Sequence, residues 1–184
     1  HVGFNMLRQH MKVAPRRWYY WCDKLGVLVV QDMPNGPLTA LKTEKARKWF
    51  ETDLERMVKQ RCNHPSIVCW TIFNESWSQC VEKGNKYGVD RRLTDMVRGW
   101  DPTRLIDSAG TQPGDQAKRF DPGVGDIRDR HHYPGPNGIK PEEKRAALLG
   151  EWGAFGLTIK GHMWPKAPQG CWGGVFDSRE DLTE

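Results

Sequence analysis

Two carboxylates dominate the chemistry this sequence can do. Glu75 closes the stretch Trp70-Thr71-Ile72-Phe73-Asn74-Glu75 and Glu151 follows Leu148-Leu149-Gly150, each after an apolar run that reads as a buried strand. A carboxylate placed there emerges where strand becomes loop. Two of them in one cleft are what glycosidic-bond cleavage requires: one carboxyl protonates the departing oxygen while the other attacks the sugar carbon or activates water. The 9 Trp fit a carbohydrate ligand, because most sit beside Gly, Pro, His or Asn rather than in regular apolar stripes, and indole faces suit the C–H faces of pyranose rings. The plainer alternative for any one of them is core filler.

Positioning these groups takes strands, and the chain alternates short apolar runs with amphipathic ones. Strands are expected near residues 4, 28, 69, 105, 126 and 147. Between them, helices are expected over 15–25, stopped by Gly26, over 43–61, and over 89–100, ended by Asp101-Pro102. Their apolar faces read as Trp18, Trp21, Cys22 and Leu25 in the first, Phe50, Leu54, Met57 and Val58 in the second, and Val89, Leu93, Met96, Val97 and Trp100 in the third. Later units shorten, leaving room only for short helices such as one around 141–146. The run Val27-Leu28-Val29-Val30 is apolar without alternation, as in parallel strands buried on both faces.

The fold class is therefore α/β with a parallel sheet, either doubly wound or closed as a barrel. Arg8 and His10, Asp32, Asn74 and Glu75, His132 and Tyr133, and Glu151 fall at the carboxyl ends of nearly all the strands. That distribution favours a barrel, whose strand ends share one mouth, over an open sheet with its single crevice. No glycine-rich phosphate loop follows the first strand, which weakens a nucleotide-binding reading.

Composition excludes more than it selects. At 184 residues and 38% hydrophobic, the chain can bury one substantial core. The net charge of +5 is scattered over helix exteriors, with Arg16-Arg17 and Arg91-Arg92 the notable basic pairs, so no nucleic-acid partner is expected. Five cysteines without a CxxC pair argue against a disulfide framework or zinc cluster. No apolar stretch approaches the roughly 20 residues that span a bilayer, so no membrane partner is expected. The chain opens on His1 rather than Met and reads as an excerpt, silent on localisation and oligomeric state.

At these residues the chain resembles the catalytic barrel of glycoside hydrolase family 2, the β-galactosidase, β-glucuronidase and β-mannosidase family. The motifs FNMLRQHMKV with WYYWCDKLGVLVVQDMP, then NHPSIVCWTIFNESW, DPTRLIDSAG, GDIRDRHHYPGP, and LLGEWGAFG with GHMW stand in family order over residues 4–164. The resemblance implies a (β/α)8 TIM barrel, incomplete here, with about six strands corresponding to the family's second through seventh, and residues 1–184 forming part of that one catalytic domain. It implies a retaining exo-acting β-glycosidase working by double displacement, with Glu151 as nucleophile and Glu75 as acid/base. By the same resemblance Asn74 bonds the sugar 2-hydroxyl, Tyr133 orients the nucleophile, and Arg8, His10 and His132 rim the subsite for the terminal sugar. Trp164 is a stacking platform, and Asp32 binds a sugar hydroxyl. Some members of the family bind magnesium or sodium, but no cluster here demands a metal, and no cofactor is expected.

The partner is a β-glycoside or oligosaccharide. β-Galactosidase-like specificity is preferred, because the asparagine–lysine pair of the glucuronidase branch is not identifiable; β-glucuronidase or β-mannosidase specificity is the alternative, as is a non-catalytic carbohydrate-binding relative. Each site residue also has a plainer reading. Arg8 pairs only with Glu151 or Asp32, His10 and His132 are satisfied structural histidines, and His131 and His162 are read as structural outright. Six strands cannot close an eight-stranded barrel, so the 184 residues alone are expected to be marginally stable or aggregation-prone at the apolar edges near residues 4–7 and 146–149. A cooperative, high-temperature melt of a monomeric sample would contradict that expectation.

Overall fold

β-Branched residues are concentrated in two central strands, LVVQD and IVCWTIF, and the amphipathic runs between strands become the helices that cover one face of the sheet. The computed structural model describes residues 3–36, 41–75, 87, 91–111, 121–163 and 171–183. In chain order these form β1 (Met6–Gln9), α1 (Arg16–Leu25), β2 (Leu28–Asp32), α2 (Glu44–Arg61), β3 (Ile67–Phe73), α3 (Arg92–Trp100), β4 (Leu105–Ala109), β5 (Ile127–His132), β6 (Ala146–Trp152), β7 (Phe155–Leu157), β8 (Gly174–Phe176) and α4 (Arg179–Thr183).

β1 to β4 pair in parallel and in sequence order, β5 pairs in parallel with β6, and β7 with β8. Between β4 and β5 the ladder is replaced by single bonds: Asp126 N–H donates to the Ile106 carbonyl at 2.8 Å and His131 N–H to the Thr111 carbonyl at 2.9 Å. Six parallel strands thus follow one another in sequence order without closing a ring, an incomplete barrel. Among the described residues no helix is long and apolar enough to cross a membrane.

Local signals explain the helix limits. Gly26, at φ 69°, ends α1 in the left-handed conformation that glycine adopts without steric cost, and its N–H donates to the Cys22 carbonyl. The Thr43 hydroxyl accepts from Ala46 N–H and caps α2. Asp101 ends α3 and accepts from Trp70 Nε1 at 2.9 Å, tying the helix terminus to the centre of β3.

Two layers of side chains separate along each strand. Residues facing the helices form the main core, in which Tyr19, Leu54, Val58, Ile72, Leu93 and Ile106 are almost wholly buried. A smaller cluster of Val30, Cys69 and Ile127 stands apart from it. Two residues farther along their strands than these three come Asp32, Thr71 and Asp129, so that line of side chains turns from apolar to polar towards the strand ends.

Three expectations are corrected. α1 buries Tyr19 and Cys22, while Trp21 and Leu25 are exposed, because the Tyr19 hydroxyl finds partners inside: it donates to Gln31 Oε1 and accepts from Ala14 N–H. No helix forms at 141–146; β6 begins at Ala146, and Arg145 just before it binds Glu142 and Asp121. β7 and β8 add a short parallel pair in the glycine-rich tail that periodicity did not reveal. α2 buries the expected Phe50, Leu54, Met57 and Val58.

Ile106 lies at the centre of this packing with no exposed surface. Ile106→Val should cost about 0.5–1.5 kcal/mol and Ile106→Ala about 2–5 kcal/mol, in that order, when urea denaturation of the complete protein is followed by tryptophan fluorescence.

Candidate active site

A single guanidinium organises the strand ends. Arg8 on β1 forks onto Asp32 of β2, its Nε donating to Oδ1 and Nη2 to Oδ2, both at 3.0 Å. Nη2 also donates to Asn74 Oδ1 at 2.8 Å, and Nη1 donates to Glu151 Oε1 at 2.9 Å. One side chain therefore ties β1 and β2 to the end of β3 and to β6. Asp32 is completely buried, and Met11 N–H also donates to its Oδ2.

Parity sets which residues of β5 face inward. Ile127, Asp129 and His131 are buried while Arg128, Arg130 and His132 are half-exposed, the alternation of a strand with one covered face. Glu151 reaches the same side through a bulge. Arg130 pairs with Leu149 and His131 with Glu151, leaving Gly150 as the extra residue. Without that insertion Glu151 would lie opposite His132 on the outer face.

Asp129 and His131 fit where glycine leaves room. A Cβ on Gly110 would stand 2.9 Å from Asp129 Oδ2 and from His131 Nε2, and one on Gly150 would collide with the Asp129 carboxylate. Gly150 N–H instead donates to Asp129 Oδ1 at 2.8 Å. His131 Nε2 lies 3.2 Å from Asp129 Oδ2, and its Nδ1 lies 3.0 Å from Glu75 Oε1 and 3.5 Å from Glu151 Oε2. The Tyr133 hydroxyl donates to Glu151 Oε2 at 2.5 Å, and His10 Nε2 is 3.5 Å from Oε1.

These groups open onto a cleft of about 430 Å³ lined by His10, Asn74, Glu75, Tyr133, Glu151 and Trp172, among others. A second, shallower recess of about 380 Å³ shares His10, Tyr133 and Glu151 with it. The non-glycine residues with left-handed backbone among those described are Met11, Glu75 and Ala154, and all three line one of these two recesses. Such conformations cost energy and persist where surrounding contacts hold them.

Charge is matched closely. Burial opposes the charge on Arg8, but Asp32, Asp129 and Glu151 outweigh it and push its pKa up. Burial also opposes the charge on His131, yet its hydrogen bonds to Asp129 and Glu75, with the charges of Asp129 and Glu151, raise its pKa to about 9. Asp107, fully buried on β4, is held well above the usual carboxylate range by burial and then by Asp129. Burial and the bond to Glu151 push the Tyr133 hydroxyl up, which keeps it a donor. One atom each from Glu75, His131 and Glu151 lies within 4.8 Å of the others, a spacing that would admit a cation. Hydrogen bonds engage all three, His131 Nδ1 with Glu75 and the Tyr133 hydroxyl with Glu151.

Of the residues singled out from sequence, Arg8, His10, Asn74, Glu75, Tyr133 and Glu151 converge. Asp32 stands beneath them with both oxygens engaged. His132 faces away from this group, its Nδ1 at 2.8 Å from the Gly135 carbonyl, because of the strand parity. Trp164 lies outside the described residues. Sequence reasoning missed Asp129, Trp172 and above all His131, although counting in twos from buried Ile127 would have found 129 and 131.

The family described as Glycosyl hydrolases family 2, TIM barrel domain, matches residues 1–133. A putative beta-glucuronidase from Formosa agariphila is 26% identical over 118 residues, 62% of this chain and 10% of that protein. Beta-galactosidase BoGH2A from Bacteroides ovatus is 28% identical over 160 residues, 68% of this chain and 19% of its own. Among solved structures, an FMN-binding beta-glucuronidase from Facaelibacterium prausnitzii L2-6 superposes with a TM-score of 0.55 at 27% identity, covering 71% of this chain and 20% of that one. The chain spans about a fifth or less of the length of these relatives.

Removing one member of a buried ion pair strands the other. Asp32→Ala should destabilise the complete protein by about 3–5 kcal/mol in a denaturation titration, with Asp32→Asn milder because it keeps the volume and one acceptor. An Asp32→Ala loss below about 1 kcal/mol would mean that Arg8 is held well enough by Glu151 and Asn74 alone.

Proposed function

Because the chain belongs to glycosyl hydrolase family 2, through a match to its TIM-barrel domain over residues 1–133, we propose that it carries the catalytic centre of a retaining exo-acting β-glycosidase. The observation that carries this reading is the approach of Glu75 and Glu151, oxygens of which lie within 4.8 Å of each other in the cleft. Carboxyls about 5–5.5 Å apart suit direct attack on the sugar, whereas a wider gap leaves room for the water of an inverting enzyme.

Glu151 is the nucleophile. Arg8 and Tyr133 each donate to a different one of its oxygens, which stabilises the carboxylate and aims it. Glu75 protonates the glycosidic oxygen as the Glu151–sugar bond forms, then takes a proton from the water that releases the sugar. Asn74 Nδ2 rests on the weak acceptor Met11 Sδ at 3.4 Å, a contact readily exchanged for a sugar 2-hydroxyl. Trp172 leaves 73% of its surface exposed at the cleft and supplies an apolar wall for a pyranose face.

A neutral sugar fits better than a uronate. Among the described cleft-lining residues the guanidinium is Arg8, already committed to Asp32, Asn74 and Glu151. This favours β-galactosidase-like specificity over the glucuronidase alternative.

The reading is tested by incubating the complete protein with activated 2-deoxy-2-fluoro β-glycosides, including a galactoside and a glucuronide, then measuring intact mass and mapping peptides. A sugar-sized gain on the Glu151 peptide is expected, most readily from the galactoside. No adduct with any sugar on folded protein would remove the retaining mechanism. Glu151→Gln should abolish turnover, while Glu75→Ala should still be glycosylated by substrates whose leaving groups need no proton. Full activity of Glu75→Ala on an unactivated disaccharide would reverse the acid/base assignment.

A further inference from the structure

We propose that His131 is a switching hydrogen-bond donor shared by the two catalytic carboxylates, with Asp129 holding its ring. The inference deepens the proposed function and rests on it. Its basis is geometric. His131 Nδ1 stands 3.0 Å from Glu75 and 3.5 Å from Glu151, so one N–H reaches either carboxylate by a small movement. The ring is fully buried, and its other nitrogen faces Asp129, which Gly150 N–H fixes in turn. The missing side chains at Gly110 and Gly150 make the space this pair occupies.

Negative charge changes place during double displacement. In the first step a bond forms between a Glu151 oxygen and the sugar carbon, the glycosidic bond breaks, and the leaving oxygen takes the proton of Glu75. Charge has then moved from Glu151 to Glu75. In the second step Glu75 takes a proton from water, the water oxygen bonds to the sugar carbon, and the bond to Glu151 breaks. Arg8 and Tyr133 donate to Glu151, and among the described residues Nδ1–H is the donor within reach of both carboxylates. In the structure it lies nearer Glu75, at 3.0 Å against 3.5 Å to Glu151; it turns to Glu151 when sugar binds and returns to Glu75 in the glycosyl enzyme. The His131 proton itself is never transferred.

The charged groups around the ring support a positive histidine. Arg8 Nη1 from β1 also stands 3.1 Å from Nε2, where a guanidinium can only donate, so Arg8 and Asp129 compete for that nitrogen and the carboxylates around the ring must outweigh the nearby cation. Against these two cations stand Glu75 after β3, Asp129 on β5 and Glu151 on β6, with Asp32 on the far side of Arg8. Asp107 on β4, held towards its neutral form, and the Tyr133 hydroxyl add no charge. His131 accordingly keeps its proton up to about pH 9. In the opposite arrangement a neutral ring would accept a proton from Glu75, and the two assignments predict opposite effects of its removal.

The experiment is the pH dependence of kcat/KM in the complete protein for wild type, His131→Ala and His131→Asn. Loss of a nearby positive charge disfavours the ionised form of a carboxylate, so both limbs of the bell should move to higher pH. His131→Asn keeps a neutral N–H near the Nδ1 position, so its limbs should also move while its kcat falls less than that of His131→Ala. The fall in the alanine variant should be on the order of tenfold to a hundredfold.

Limbs that stay in place in the asparagine variant would overturn the proposal, and so would an alkaline limb moving to lower pH. Folding adds an independent reading. A histidine pKa raised above its unfolded value of about 6.5 stabilises fully below that pH and loses the effect as pH rises through about 9. The gap in denaturation midpoint between wild type and His131→Asn should therefore narrow from acid to alkaline conditions, and a constant gap would count against a charged ring. Wild type labelled at Glu151 but with unmoved limbs in the variants sinks the histidine proposal alone. Wild type that neither turns over nor labels sinks the glycosidase reading and this proposal with it.

Discussion

Arg8 is the contact on which the mouth of this fold depends. β1 and β6 share no ladder, so nothing in the backbone registers one against the other. The guanidinium spans that gap, gripping Asp32 with two parallel bonds and still presenting an N–H to Asn74 and another to Glu151. Five donors in a rigid plane make this possible; an ammonium in the same place would give a point charge without the fork. Because Asp32 is wholly enclosed, the fork is set before any ligand arrives.

Around that anchor, acids outnumber cations. Asp32, Asp107, Asp129, Glu75 and Glu151 converge from five strands, opposed by Arg8 and His131. The arrangement is tolerable because burial and Asp129 disfavour the charged form of Asp107 and because each remaining carboxylate faces at least one N–H. Low dielectric strengthens every one of these pairings and makes any missing partner costly. A site of this kind resists single substitutions at its base more than at its exposed lip, where His10 and Trp172 meet solvent.

How far the sequence could be read follows from what each signal measures. The βα order, the course of β1 to β6 and the two carboxylates were legible because each apolar run ends in a polar residue, a property of adjacent positions. Which of His131 and His132 is buried beside the carboxylates was legible in principle, since alternation from Ile127 decides it. Glu151 was found at its strand end, but nothing local marks Gly150 as a bulge, since that depends on pairing with β5. The apolar face of α1 was misjudged for a related reason: Tyr19 is buried because its hydroxyl reaches Gln31 on a neighbouring strand. Hydropathy ranks Trp21 and Leu25 above it and does not see that partner. Asp32 bonds Arg8 and Met11 N–H, partners on other segments that residue type alone does not reveal.

Met11, Glu75 and Ala154 share a left-handed backbone that side chains disfavour, by about 1–2 kcal/mol for each residue. For Met11 and Ala154 the burden is incidental to side-chain chemistry. At position 75 it falls on the carboxylate that the proposed reaction needs. Glycine there would relax the chain and remove the acid in the same stroke, so a search for hardier variants, run without an activity screen, would drift towards an inert protein. Robustness and turnover are set against each other at one dihedral angle.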